Sequence, residues 1–149
     1  ATLIMDIIKA IFPVFYVKLN YPDLVYISAL SVFLGHVFPV WLKFKGGKGV
    51  ATYLGVLLGL SFALGLLFIF TWVVISLIFK YSSISSIFSS FTVFVVTFFR
   101  ENILKVINSD FNYDDNIKLI LFIFLVLIIY THKKNISNLK NRTEQKIKL

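Results

Sequence analysis

Residues 50–79 run for 30 positions without a charged side chain. One α-helix of that length would measure ~45 Å, against ~30 Å for the hydrocarbon core of a bilayer. Gly59, Ser61 and Gly65 lie near the middle of the run. The pattern therefore predicts two short, tightly turned helices, roughly 50–60 and 64–79. Further apolar segments cover 3–17, 24–42, 87–99 and 117–131. A 149-residue chain that is 58% hydrophobic, with mean hydropathy +0.88 and 17 phenylalanines, has too few charges for a soluble surface. It reads as all-α: a polytopic integral membrane helical bundle of about six transmembrane helices. The whole of 1–149 forms a single membrane domain, within which 132–149 is a basic cytoplasmic tail. Alternation with a period of two, the mark of a membrane barrel, is absent.

Charge sets the orientation. With residues 43–48 placed in the cytoplasm, six helices put eleven Lys and Arg residues inside: Lys9, Lys43, Lys45, Lys48, Lys80, Lys133, Lys134, Lys140, Arg142, Lys146 and Lys148. Four stay outside, Lys18, Arg100, Lys105 and Lys118. A single helix over 50–79 would worsen this split. The net charge of +8 fits anionic lipid head groups before it fits nucleic acid. With no cysteine, disulfides and thiolate chemistry are excluded.

Polar residues interrupt the segments at chosen places. Asp6 and Lys9, spaced i, i+3, can neutralise each other in a site or simply mark an interfacial helix end. Residues 20–22 make a turn, and Pro39 is expected to kink the second segment near His36. The stretch SSISSIFSS after Tyr81 gives one helix face a strip of hydroxyls. Those serines either face a ligand or bond back to helix carbonyls and ease close packing. Residues 100–116 are polar, with Asp110, Asp114 and Asp115.

Between the second and third segments lies GHVFPVWLKFKGGKGVAT, residues 35–52. Lys43, Lys45 and Lys48 fall within six positions, and Gly46, Gly47 and Gly49 flank the last of them. Glycines let a backbone approach a ligand closely. The N–H groups of a helix start, with its dipole, favour an anion. Lysine adds a mobile positive charge. The stretch reads as a phosphate cradle at a membrane surface. It is not a Walker A loop, because Leu42 stands where the first glycine belongs and Gly49 follows the lysine. Two histidines and no carboxylate cluster make a metal site a poor fit. A Ser–His–acid set with an evident nucleophile is likewise missing.

This stretch resembles the central motif of the bacterial acyl-phosphate:glycerol-3-phosphate acyltransferases, G-H-x-F-P followed by K-F-K-G-G-K-G-V-A-T. The tail resembles their last motif, H-R-x-N-I-x-R-L then G-T-E-x-K, through His132, Asn135, Ile136, Leu139, Thr143, Glu144 and Lys146. Lys133 stands for the first arginine, Asn138 replaces the second, and Arg142 replaces the glycine. KYSSISSI resembles R-Y-x-S-x-x-S-I and places Ser83 and Ser86 at its serines. DIIKAIFP resembles the family's D-x-x-K-G segment. The family's opening block, G-S-G-N-x-G-A-T-N, has no counterpart. The expectation is either a fragment that begins just after that block, or a form that has lost it and its activity.

The resemblance implies transfer of a fatty acyl group from acyl phosphate to the 1-hydroxyl of glycerol 3-phosphate. The products are lysophosphatidic acid and phosphate, the first step of phospholipid synthesis. No cofactor or metal is required, and the protein is expected as a monomer in the bacterial inner membrane. Its partners are the two substrates and the lipid bilayer, with no nucleic acid. Lys48 and the N–H groups around Gly46, Gly47 and Gly49 would hold a phosphate, with Lys43 helping to recruit it. Ser83 and Ser86 would bond phosphate oxygens. His132 and Asn135 would orient the acceptor or stabilise the oxyanion, and His132 or the donor phosphate would take the proton. Glu144 would position a basic side chain or play no part. His36 reads as structural, and Lys9 with Asp6 as either site or scaffold. The alternatives are a small anion or lipid-phosphate transporter, and an inactive acyltransferase remnant.

Overall fold

A computed structural model describes residues 2–44, 46–107 and 116–147, without the side chains of 100–107. Lys45, Asp110, Asp114, Asp115 and Lys148, named above, lie outside the described residues, as do the side chains of Arg100 and Lys105. The described residues form seven helices and no strand. They are α1 (Thr2–Asn20), α2 (Val25–Val37), α3 (Val50–Leu60), α4 (Phe62–Phe79), α5 (Ser82–Ile107), α6 (Asn116–Thr131) and α7 (Lys133–Lys140). Short 3-10 turns, Pro22–Leu24 and Val40–Leu42, enter and leave α2.

The uncharged run does divide in two, and more sharply than its composition suggests. Ser61 alone separates α3 from α4, extended at φ −158° and ψ 123°. Of the three residues that marked the middle of the run, Ser61 makes the break and the two glycines serve packing instead. Gly59 faces Val14 of α1, where an added Cβ would sit 3.0 Å from the Val14 Cβ. Gly55, one turn earlier, lies against the Ile7 carbonyl and 2.8 Å from the Ala10 Cβ by the same measure. The pair forms a small-xxx-small seam that lets α1 and α3 approach at backbone distance, the usual basis of close helix packing in lipid. Gly65 similarly makes room for Leu58 across the α3–α4 bend.

Proline acts differently at its two positions. Pro13 sits inside α1 without ending it. Pro39 does not merely kink the second segment, as expected; it stops it. The residue before a proline is pushed out of the helical region, and Phe38 has φ −123° and ψ 58°.

Among the described residues, three helices are long and apolar enough to cross a membrane, or four if the bent pair α6–α7 counts as one. The expectation was about six transmembrane helices, some short or broken, and length and composition alone mark fewer. At eleven residues, α3 covers only ~17 Å. Its direction still matches the predicted threading. Lys18 at the end of α1 donates to the Leu60 carbonyl at the end of α3, 2.6 Å away. Ile147 in the tail donates to the Lys80 carbonyl between α4 and α5. One end of the bundle thus gathers the start of α3, the α4–α5 turn and the end of α6. In the core, Tyr53 of α3 meets Phe124 of α6 and Phe68 of α4 with ring centroids 5.5 Å apart, and Phe33 of α2 meets Phe124 at 5.1 Å.

Candidate functional site

The glycine stretch is a non-helical connection between two helices. Lys43 and Phe44 take left-handed backbone conformations, and Lys43 is exposed. Gly49 precedes α3 at φ +82°, with the Phe33 ring where a side chain would go. Both constraints require glycine there. Gly46 and Gly47 have no room for a Cβ either, because they press on the end of α2 and on the His36 ring. The close approach these glycines permit is therefore to the protein itself.

What the turn leaves open is the start of α3. The first intrahelical bond runs from the Tyr53 N–H to the Gly49 carbonyl, and no side chain caps the end. The N–H groups before Tyr53 are therefore not used within the helix. Thr52, in this first turn, is fully buried, and its hydroxyl lacks a hydrogen-bond partner. This residue escaped the sequence reading, although it closes the G-G-K-G-V-A-T motif.

The C-terminal motif comes to the same place. Thr131 Oγ1 lies 2.9 Å from the Lys48 carbonyl, across 83 residues of sequence. It lies equally far from the Ile128 carbonyl, so its one proton serves one acceptor at a time. The next residue, His132, opens the basic tail and is nevertheless buried. It sits just past the last residue of α6, where the chain bends by 55° into α7, and next to Thr131, which reaches the glycine turn. Its Nδ1 is 2.8 Å from the Ile128 carbonyl. A carbonyl only accepts, so Nδ1 carries the proton and Nε2 of the neutral ring keeps its lone pair. Burial pushes the His132 pKa below its usual value and Lys48 acts in the same direction, while the Ile128 hydrogen bond and Glu144 oppose them. Asn135 donates to Glu144 Oε1 at 2.7 Å, which gives Glu144 a partner other than the basic side chain expected for it.

The serine strip divides. Ser85, Ser86, Ser89 and Ser90 each bond back to the carbonyl four residues earlier. Ser86 also accepts from Trp72 Nε1 at 3.2 Å, so packing already uses it. Ser83 is buried with an unpartnered hydroxyl in the first turn of α5. Of the two predicted serines, it is the one left available. Lys9 and Asp6 lie with His36 against the glycine turn rather than with His132.

An apolar groove of about 400 Å³ runs from this end of the bundle between α1, α3, α4 and α5. Ile7, Val50, Leu54, Phe68 and Trp72 line it, and Ser82 stands with them. A helix start with free donors, a lysine, a neutral histidine and an adjoining apolar groove suit an amphiphile with an anionic head. No group of His, Cys, Asp or Glu able to hold a metal occurs among the described residues.

A model of the glycerol-3-phosphate acyltransferase family matches residues 1–142. A protein named glycerol-3-phosphate acyltransferase from Pelagibacter ubique (strain HTCC1062) is 52% identical over all 149 residues, which correspond to 71% of its own length. One of the same name from Brucella anthropi is 40% identical over 99% of this chain and 67% of its own. Among solved structures, PlsY (YgiH), described as an integral membrane glycerol 3-phosphate acyltransferase, matches at 30% identity in its glycerol 3-phosphate form. The TM-score is 0.82 over 98% of this chain and 69% of that one. Its lysophosphatidic acid form matches with a TM-score of 0.80.

Proposed function

The chain belongs to the glycerol-3-phosphate acyltransferase family, and from that premise we propose how its residues carry the reaction. It is a membrane-embedded acyltransferase that makes lysophosphatidic acid from glycerol 3-phosphate. In our reading, the acyl donor is acyl phosphate and the working face is cytoplasmic, in the inner membrane. The observation that carries the assignment of the site is the hydrogen bond from Thr131 to the Lys48 carbonyl, which seats the glycine turn on the C-terminal motif.

An acyl phosphate is an activated anhydride, so the protein has mainly to position two substrates and stabilise charge. The donor's chain lies in the apolar groove, and its phosphoryl group meets the start of α3. There Lys48, the free N–H groups and the hydroxyls of Thr52 and Ser83 hold it. The 1-hydroxyl of glycerol 3-phosphate attacks the acyl carbonyl. The new ester C–O bond forms, the bond to the phosphate oxygen breaks, and phosphate leaves with the electron pair. The proton of the attacking hydroxyl goes to His132 Nε2 or to the departing phosphate. Asn135, oriented by Glu144, binds the acceptor. Gly46 and Gly47 shape the turn, and Lys43, exposed beside it, draws the dianion in.

A transporter would place charged groups at mid-span. Of the described charges, Lys18 lies at the end of α3, and only Asp6 and Lys9, paired with each other and with His36 near the end of α2, lie deeper. The test is to reconstitute the full protein in lipid vesicles with acyl phosphate and labelled glycerol 3-phosphate. The expected result is labelled lysophosphatidic acid and released phosphate. Accumulation of unacylated glycerol 3-phosphate inside the vesicles, without product, would establish transport instead.

A further inference from the structure

His36 meets the glycine turn in two ways. Its backbone carbonyl lies against Gly46, where a Cβ would also fall 2.6 Å from Pro39 Cδ. Its imidazole lies against Gly47, with Nε2 nearest and Cε1 3.1 Å from where a Cβ would be. The other edge of the ring is held from α1. Lys9 Nζ lies 2.9 Å from His36 Nδ1 and 2.5 Å from Asp6 Oδ1, and Nδ1 is 3.6 Å from that same carboxylate oxygen. An ammonium only donates, so Nδ1 accepts and the proton of the neutral ring sits on Nε2, at the turn. Among the described residues, Gly46, Gly47 and Lys48 have no backbone–backbone hydrogen bond outside the turn. Their position rests on contact with α2 on one side and on Thr131 on the other.

We propose that His36, locked by Lys9 and Asp6, is a positioning residue that sets the glycine turn and so places Lys48 and the start of α3 for the phosphate. The cleft of about 240 Å³ bounded by Lys9, His36, Trp41 and Gly47 gives the turn space into which it moves when the ring is removed. His36 acts through the backbone of Gly46 and Gly47. The proposal rests on the phosphate-holding role given to the turn above, but not on the acyl transfer that follows.

The experiment measures glycerol 3-phosphate binding by calorimetry in the full protein, for wild type, H36A, G47A, H36A/G47A, K9M and H36N. Each unfolding midpoint is recorded alongside. The expected result is binding about tenfold weaker in H36A, the order of one lost hydrogen bond to a charged group, with an unfolding midpoint close to wild type. H36N, whose amide oxygen still accepts from Lys9, recovers part of the loss. G47A, which drives a methyl into the ring, costs much in wild type and little once the ring is gone, a non-additivity that reports direct contact. If H36A does not fold, K9M decides, because it frees the ring without removing it, and weaker binding is expected there too. Unchanged binding in H36A or K9M, or an equal cost of G47A with and without the ring, overturns the proposal. A wild type that binds glycerol 3-phosphate but makes no lysophosphatidic acid would remove the proposed acyl transfer and leave the positioning role standing.

Discussion

The Thr131 hydroxyl and the Lys48 carbonyl stand 2.9 Å apart. This contact ties the last turn of α6 to the residue that precedes Gly49 and α3, and with it the two most specific motifs of the chain. Replacing Thr131 by valine keeps the shape and removes the bond. The cost to stability should be about 0.5–1.5 kcal/mol, seen as a lower unfolding midpoint, together with weaker glycerol 3-phosphate binding. A stable variant with intact binding would show that the glycine turn does not depend on this tie.

Asn135 and Glu144 should behave as one unit. Their 2.7 Å hydrogen bond predicts a coupling of about 1 kcal/mol in a double-mutant cycle of N135A and E144A, read from KM for glycerol 3-phosphate. Additive losses would mean that Glu144 works elsewhere.

Ser83 and Ser86 resembled each other in sequence and differ in the structure. S83A removes a hydroxyl with no partner inside the protein, so it should lower turnover with little change in stability. S86A removes the acceptor of Trp72, so it should lower the unfolding midpoint and alter tryptophan fluorescence with a smaller effect on turnover. The reverse pattern would contradict the division of the strip.

The pH dependence of stability follows from His132. Its folded pKa is depressed by burial, so over a window below the ordinary value of about 6.5 the unfolded chain binds more protons than the folded one. Stability therefore rises with pH there and is lost as pH falls. The unfolding midpoint should be lower at pH 5.5 than at pH 7.5, and H132N should flatten the difference. An unaltered difference in H132N would assign the effect to other groups.

Much of this was legible in the residues, for physical reasons. A 30-residue uncharged run is too long for one span, and the motif with three glycines and three lysines stands out against apolar segments. The division of that run near its middle followed from its length, and His132 and Asn135 entered as candidates through the resemblance. Tertiary relations did not. Thr131 ends an apolar run, and nothing in sequence says that its hydroxyl finds Lys48. Gly55 and Gly59 carried a packing signal at a spacing of four, yet Gly59 drew notice only as a turn marker. The fate of the serines depended on what α4 placed opposite them: Trp72 took Ser86, and nothing took Ser83.

The central claim is that Lys48, at the start of α3, holds a phosphoryl group beside His132. Steady-state kinetics of K48M in the full protein, with acyl phosphate and glycerol 3-phosphate, tests this most directly. The account predicts a fall in kcat/KM of about 10²–10³, the magnitude of losing one preorganised charge partner, with an unfolding midpoint near wild type. Wild-type kinetics in K48M would contradict it.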